Sequence, residues 1–248
     1  MQIALFSDVH ANLPALKAFF ADIDTKKPDA IYCLGDLVGY NIWPNEVIKT
    51  LKERCIPTIA GNHDLKVKMI AIDKLESLIA KKNFAYQLVG KNEKDYLLSL
   101  PSSISLTFTC NDDIINLLLV HGSPRSVNEY LFEEMEEADL LEIMKEANAD
   151  ILCFGHTHKP YHRVINSEKD RVAKFRHAIN TGSVGKPKDG NPKGGYVLLT
   201  INESSSLKEK DCIKVEFIRF DYDIETAAIA IENSPLPNEL AEMLRNGN

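Results

Sequence analysis

The chain has 248 residues, of which 44% are hydrophobic and 26% are charged, and its formal net charge is −7 at pH 7. This is the composition of an ordinary globular protein, and its acidity disfavours nonspecific binding to nucleic acid, which needs clustered lysine and arginine. The negative net charge does not exclude a small phosphorylated ligand, because bound metal ions could supply the local positive charge.

The first 60 residues alternate short apolar runs with amphipathic segments. Periodic apolar residues predict a helix over 13–23, with Asn12 as its N-cap, and a second helix that starts near Pro44. Strands are predicted at residues 2–7, 30–34 and 56–60. This strand–helix alternation is typical of a parallel sheet with crossover helices.

The rest of the chain mixes helical and strand patterns. Residues 65–100 and 136–147 are predicted to be helical, and residues 203–210 are predicted to form an exposed hairpin loop. Further strands are predicted at 103–109, 114–120, 151–154, 161–165, 177–180, 195–201 and 213–219. No repeat or linker divides the chain, so we expect one α/β domain over residues 1–248, built on a sandwich of two sheets.

The cysteine pattern and the N-terminal sequence indicate in which cellular compartment the protein is expected. The five cysteines are scattered and form no CxxC pair, which argues against a disulfide framework or a zinc knuckle. The first ten residues lack a basic segment, and the chain has no apolar run long enough for a membrane span. We therefore expect a cytoplasmic protein without a membrane segment.

Residues with metal-binding chemistry follow directly after the predicted buried strands. Ligands of α/β sheets bind at the carboxyl ends of the strands, so these residues should meet at one edge. Five strand ends carry the candidate metal ligands Asp8, His10, Asp36, Asn62, His121, His156 and His158. Five of the seven histidines of the chain lie in these segments.

Each candidate has an ordinary explanation when it is taken alone. A single aspartate at a strand end is usually a helix cap, and a single histidine is more often a hydrogen-bonded structural residue. Five such coincidences at one edge favour a metal centre instead. Aspartate, asparagine and histidine without a thiolate suit manganese, iron, zinc, cobalt or nickel. Seven ligands suit two ions ~3.5–4 Å apart that share a carboxylate.

The motifs resemble a known family, the calcineurin-like metallophosphoesterases of the small single-domain bacterial and archaeal phosphodiesterase type. The matching segments, in family order, are "DVH" 8–10, "GD" 35–36, "GNHD" 61–64, "HG" 121–122 and "GHTH" 155–158. The resemblance runs from residue 3 to about residue 199. It implies a two-sheet β-sandwich flanked by helices, with a metal site at the carboxyl ends of the strands.

The resemblance also implies a role for each matched position. Asp36 would bridge two divalent or mixed-valence first-row ions, manganese foremost, with iron, nickel, cobalt or zinc as alternatives. His63 would not bind metal but would face the leaving group as general acid. The implied ion ligands are Asp8, His10 and His158 on one side and Asn62, His121 and His156 on the other. The implied reaction is hydrolysis of small phosphodiesters or phosphomonoesters by in-line attack of a metal-bridging hydroxide.

One departure from the family motifs narrows the range of expected substrates. Protein serine/threonine phosphatases of this superfamily carry G-D-x-x-D-R-G, whereas residues 35–41 read "GDLVGYN". Small phosphodiesters, phosphomonoesters and dinucleoside polyphosphates such as diadenosine tetraphosphate remain. Two non-catalytic alternatives are a metal-poor scaffold, as in a coat-complex subunit, and a nucleotide sensor. Loss of ligand histidines would mark the scaffold, and all of them are present.

Several residues outside the motifs have two explanations each. Arg125 could bind a substrate phosphate bidentately, or it could form a surface ion pair. Tyr40 and Trp43 could stack on a base, although loop packing is favoured. His162 and His177 are given no role. The expected partner is a small phosphorylated substrate such as a nucleotide, without a membrane or stable nucleic-acid binding, and self-association stays open.

Overall fold

The computed structural model describes residues 1–68, 78–111, 113–167 and 174–248. Their elements begin with β1 (Gln2–Phe6), α1 (Leu13–Lys26), β2 (Ala30–Cys33), α2 (Pro44–Glu53), α3 (Asn62–Lys66), α4 (Leu78–Gln87), α5 (Lys91–Ser99), β3 (Ser103–Thr109) and β4 (Ile114–Val120). They continue with α6 (Glu137–Glu146), β5 (Ile151–Phe154), β6 (Tyr161–Asn166), β7 (Phe175–Asn180), β8 (Gly194–Thr200), β9 (Lys214–Phe220), α7 (Ile224–Glu232) and α8 (Glu239–Asn246).

The strands form two mixed sheets. One has the order β2-β1-β8-β9 and the other the order β3-β4-β5-β7-β6. Strands β1 and β2 run parallel, as do β4, β5 and β7, while the remaining neighbours are antiparallel. The parallel strands supply the carboxyl ends at which the candidate ligands were predicted. The two-sheet α/β architecture expected from the sequence is confirmed.

Alternation along the strands explains why the sheets stack face to face. Ile3 and Leu5 point into the core between the sheets, where they join Leu117 and Leu119 of the other sheet. The residue between them, Ala4, points outward into a second core under α1 and α2. Helix α6 covers the outer face of the other sheet. The central strands β1, β5 and β8 are thus buried on both faces, and their residues are mostly apolar on both.

The strand predicted at 56–60 is wrong. The segment makes only one isolated parallel bridge, between Thr58 and Cys33. Backbone bonds tie it to β2, with the Cys33 amide 3.0 Å from the Pro57 carbonyl and the Ile59 amide 3.1 Å from the Cys33 carbonyl. Proline has no amide hydrogen to extend a ladder, so the segment runs beside β2 without becoming a regular strand.

Other predictions hold with adjusted boundaries. Within 65–100 the structure has α4 and α5, and residues 69–77 of that prediction lie outside the described ranges. The loop at 203–210 is less exposed than predicted, because Ser205 and Leu207 are each only 2% exposed. Helices α7 and α8 were not predicted, and they pack together near Trp43. No helix in the described parts of the chain is long and apolar enough to cross a membrane.

Candidate metal centre

The seven predicted metal ligands meet at one edge of the two sheets. They come from the segments that follow β1, β2, β4 and β5 and from the start of α3. All seven side chains belong to residues that are at most 8% exposed. Such a concentration of buried polar groups needs hydrogen-bond or metal partners, because burial without them is costly.

The backbone at this edge is locally strained. Five of the seven candidates have a positive φ, namely Asp8 at 56°, His10 at 49°, Asp36 at 57°, His156 at 66° and His158 at 60°. Left-handed backbone costs energy in residues with a Cβ and persists where the surrounding structure enforces it, often at functional sites. The strand-end turns thus hold the side chains inward at some cost in stability.

The first group consists of Asp8, His10 and His158. Oδ1 of Asp8 lies 3.0 Å from Nε2 of His158 and 3.5 Å from Nε2 of His10. The two Nε2 atoms lie 3.1 Å apart. The other oxygen of Asp8, Oδ2, accepts a hydrogen bond from the Ser7 hydroxyl at 2.5 Å. Oδ1 has no hydrogen-bond partner although it is buried, so its remaining lone pairs face the two imidazoles.

Backbone carbonyls fix which nitrogen of each imidazole carries hydrogen. Nδ1 of His10 lies 3.0 Å from the Val38 carbonyl, and Nδ1 of His158 lies 2.5 Å from the Lys186 carbonyl. A carbonyl only accepts, so both Nδ1 atoms donate, and both Nε2 atoms of the neutral rings present lone pairs. Two lone pairs that face each other repel, and a shared cation would relieve this. The donor set therefore fits a metal ion.

The second group consists of Asp36, His121 and His156, with Asn62 beside it. Nε2 of His121 lies 3.3 Å from Oδ2 of Asp36 and 3.2 Å from Oδ1 of Asn62. Nδ1 of His121 lies 2.8 Å from the Leu34 carbonyl, which again aims Nε2 inward. Nε2 of His156 is buried without a hydrogen-bond partner. The group thus offers nitrogen and oxygen donors to one point.

Asp36 stands between the two groups. Its Oδ1 accepts a hydrogen bond from the His63 amide at 2.7 Å. Its Oδ2 lies 3.7 Å from Nε2 of His10 in the first group and 3.3 Å from Nε2 of His121 in the second. That oxygen is buried and has no hydrogen-bond partner. A carboxylate oxygen that faces both groups fits the predicted bridging position.

Electrostatics keeps the two carboxylates ionised. Burial by itself would raise the pKa of Asp8, but the imidazoles of His158, His10 and His121 together outweigh it and lower that pKa well below its usual range. The pKa of Asp36 is also lowered, because charges and hydrogen bonds around it, chiefly those of His121, oppose the effect of burial. Burial would lower the pKa of His121, but the Asp36 carboxylate raises it to about 9. The centre therefore stabilises positive charge, which a bound cation supplies.

Two glycines and one further aspartate hold the ligand loops together. A Cβ on Gly61 would lie 2.1 Å from Oδ1 of Asp36, and one on Gly155 would lie 2.3 Å from the Ser7 hydroxyl. Glycine at these two positions thus allows the loops to approach closely. The buried Asp64 carboxylate accepts hydrogen bonds from the amides of Asp36 and Gly61 at 2.8 and 2.9 Å. Asp64, the last residue of "GNHD", has a structural role that its motif position does not indicate.

His63 borders the cluster. One of its nitrogens lies within 4.8 Å of ligand atoms of His10 and Asp36. Nδ1 lies 2.5 Å from the phenol oxygen of Tyr86, and Nε2 lies 3.5 Å from Nζ of Lys66. Neither Tyr86 nor Lys66 was singled out by the sequence analysis. Tyr86 carries no local signal, because it lies 23 residues from His63 on another helix.

The remaining candidates fall into separate environments. Arg125 lines a cavity of about 390 Å³ that also reaches His121, but its guanidinium is 2.5 Å from the Glu129 carboxylate. The Tyr40 ring is 4.7 Å from the His10 ring, whereas Trp43 packs near α7 and α8. The two off-pattern histidines, His162 and His177, hydrogen-bond each other at 3.0 Å on β6 and β7.

Two stacked mixed sheets with a buried carboxylate–histidine cluster at the strand ends define the class of metallophosphoesterases. The model of the calcineurin-like phosphoesterase superfamily domain matches residues 1–204. The chain belongs to this superfamily. A metallophosphoesterase from Sphaerobacter thermophilus has a similar structure, with a TM-score of 0.75, 27% identity, and coverage of 100% of this chain and 99% of that one.

Two archaeal proteins are also similar over almost their full lengths. An uncharacterized protein of Methanocaldococcus jannaschii is 31% identical over an alignment of 254 positions, which covers 98% of this chain and 96% of that protein. The structure of a hypothetical protein from Pyrococcus horikoshii has a TM-score of 0.79 and 22% identity, covering 100% of this chain and 98% of that one. This last likeness concerns the fold.

Proposed function

We propose that this protein is a two-metal phosphoesterase that hydrolyses small phosphodiesters or phosphomonoesters by in-line displacement. The observation that carries the proposal is the position of Oδ2 of Asp36. This buried oxygen without a hydrogen-bond partner lies between Nε2 of His10 and Nε2 of His121, at 3.7 and 3.3 Å. One oxygen between two converging donor groups is what a bridging ligand needs.

Each ion would have its own protein ligands. Asp8, His10 and His158 would hold one ion, and Asp36 would touch both. Asn62, His121 and His156 would hold the other. When bound, two first-row ions, with manganese as our first choice, would acidify the attacking water and offset the charge of the phosphoryl oxygens.

His63 would act on the leaving group. Its Nδ1 is engaged by Tyr86 at 2.5 Å, so the ring is held with Nε2 toward the adjacent cavity. Burial lowers the pKa of His63 well below its usual value, and an arriving phosphate dianion opposes that shift. Proton uptake at Nε2 would thus accompany substrate binding, and the proton would pass to the departing oxygen.

Arg125 remains a proposed phosphate ligand. Arg125 forms an ion pair with Glu129, and its side chain is 49% exposed. Such a pair contributes little stability, typically about 0–1 kcal/mol, so a substrate phosphate could replace the glutamate at small cost. The cavity that Arg125 shares with His121 would bring that phosphate close to the metal centre.

The test is hydrolysis of bis-p-nitrophenyl phosphate and p-nitrophenyl phosphate after loading with manganese, iron, nickel or zinc. We expect chelator-sensitive turnover of at least one ester, and loss of turnover in Asp36→Asn. Asp24→Asn, which changes an exposed aspartate paired with Arg54, is the matched control and should keep activity. A protein that binds two ions and hydrolyses neither ester with any of the four metals would contradict the proposal and favour a scaffold or sensor.

A further inference from the structure

A cationic cavity adjoins the metal centre on the side of His63. It has a volume of about 550 Å³, in the range of small-molecule sites. Its lining includes Tyr40, His63, Lys66, Tyr86, Lys186 and Lys188. We propose that this cavity binds a second anionic group of the substrate, a phosphate carried by the leaving group. The orientation of the substrate rests on the function proposed above.

Three ammonium groups surround the inner end of the cavity. Nζ of Lys66 lies 3.5 Å from Nε2 of His63. Nζ of Lys186 and of Lys188 lie 5.1 and 5.9 Å from the centre of the Tyr40 ring. The Tyr40 and His63 rings are themselves only 4.9 Å apart. All three positive charges therefore lie around the side chain proposed to protonate the leaving group.

These charges are poorly neutralised by the protein. Lys186 is only 2% exposed, and its Nζ donates to the main-chain oxygen of Asn248 at 2.8 Å. Within the described ranges, no carboxylate forms an ion pair with any of the three lysines. The cavity also includes Glu239, so three positive groups face one acid in a protein with a net charge of −7. Lys186 is buried and Lys66 and Lys188 are half-buried, and such a cluster of cations with few carboxylates around it favours an anionic ligand.

The position of the cavity assigns the second anion to the leaving group. His63 borders both the centre and the cavity, since one of its nitrogens lies within 4.8 Å of ligand atoms of His10 and Asp36 and its side chain lines the cavity. An oxygen that receives its proton from His63 would depart into the cavity. The substrate class is thus a small molecule with two phosphates a few atoms apart. Bisphosphates and nucleoside polyphosphates belong to it, and simple alkyl esters do not.

A pair of substrates isolates the second phosphate. Propane-1,3-diol bisphosphate and propyl phosphate share the bond to be cleaved and differ in the remote group. We expect the metal-loaded protein to prefer the bisphosphate in kcat/KM by roughly tenfold or more, and Lys188→Met to remove most of that preference through KM. Lys188→Arg should retain it. Lys193→Met, which alters a surface lysine paired with Asp221, is the matched control and should behave like the wild type.

Binding separates failure of this inference from failure of the proposed function. Calorimetry with propane-1,3-diyl bisphosphonate, which cannot be hydrolysed, should show affinity that falls roughly tenfold in Lys188→Met. Lysine-dependent binding without turnover of either ester would contradict the hydrolase proposal and leave the anion site standing. Turnover with no preference for the bisphosphate, or an equal loss on both esters in Lys188→Met, would overturn the inference. So would bisphosphonate affinity that is independent of Lys188.

Discussion

The phenol oxygen of Tyr86 lies 2.5 Å from Nδ1 of His63. Gly39 makes this contact feasible, because a Cβ at position 39 would lie 2.6 Å from the same nitrogen and 3.3 Å from the same oxygen. Burial raises the pKa of Tyr86 above its usual value, so the phenol stays protonated at neutral pH. A tyrosine from α4 thus takes the place beside His63 that a longer side chain at 39 would fill.

Removing this hydroxyl should weaken catalysis without emptying the metal centre. In Tyr86→Phe, His63 loses the group that orients its ring, so we expect turnover to fall roughly tenfold, and more on alkyl than on aryl esters. Metal content should be unchanged. Tyr161→Phe removes a buried hydroxyl that bonds the Leu131 carbonyl elsewhere and is the matched control. Equal losses on both ester types together with lost metal would show that Tyr86 acts on folding of the site instead.

His63→Ala and His158→Ala should differ in kind. If His63 is a general acid, its removal should keep both ions and slow alkyl esters by roughly 10²- to 10⁴-fold, with a smaller deficit on p-nitrophenyl esters, whose leaving group departs well unprotonated. His158→Ala should weaken metal binding and depress all esters alike. Rates and metal content are measured on the same preparations. Metal loss with an equal fall on both ester types would make His63 a ligand.

Asp36→Ala should be more damaging than the loss of any single histidine ligand. Its Oδ2 faces His10 and His121 together, so its removal exposes two bound cations to each other's charge. We expect both ions to be lost or scrambled, and this is read by elemental analysis after gel filtration. Retention of two ions and near-normal turnover would rule out the bridging role.

The His162–His177 pair should make stability depend on pH. Burial lowers the pKa of His177 from 6.5 to about 4. Between these two pH values only the unfolded chain binds the proton. The contribution of neutral His177 to the unfolding free energy is therefore complete above about pH 6.5 and is lost as the pH falls toward 4. Between about pH 7 and pH 4.5 the unfolding free energy of the wild type should decrease. In His177→Gln this decrease should be smaller by roughly 2 kcal/mol. Denaturant titrations at both values check this, and parallel losses would contradict it.

The candidate metal ligands could be predicted from the sequence because each follows a short apolar segment within one to four residues. Asp8, Asp36 and His156 needed only the rule that parallel strands present their carboxyl ends to one edge. Asn62 was placed at this edge even though the strand before it, 56–60, is only a bridged segment. The turn to the edge therefore depends on the chain direction and on Gly61 more than on a regular ladder.

The groups around the centre could not be predicted in the same way. Tyr86 lies on a helix and Lys186 and Lys188 lie in the loop before β8, so their spacing relative to the motifs carries no periodic signal. They reach His63 through long-range packing, including that of the unpredicted helix α8 at the cavity wall. Residue type alone does not reveal such contacts, because a lysine in a loop is most often exposed.

The most direct test of the two-metal centre is anomalous diffraction from crystals of the manganese-loaded protein. A two-metal centre predicts two manganese peaks roughly 3.5–4 Å apart, one among Asp8, His10 and His158 and one among Asn62, His121 and His156. Asp36 should touch both. A single peak with Asn62 and His121 far from it, or two peaks without Asp36 between them, would contradict it.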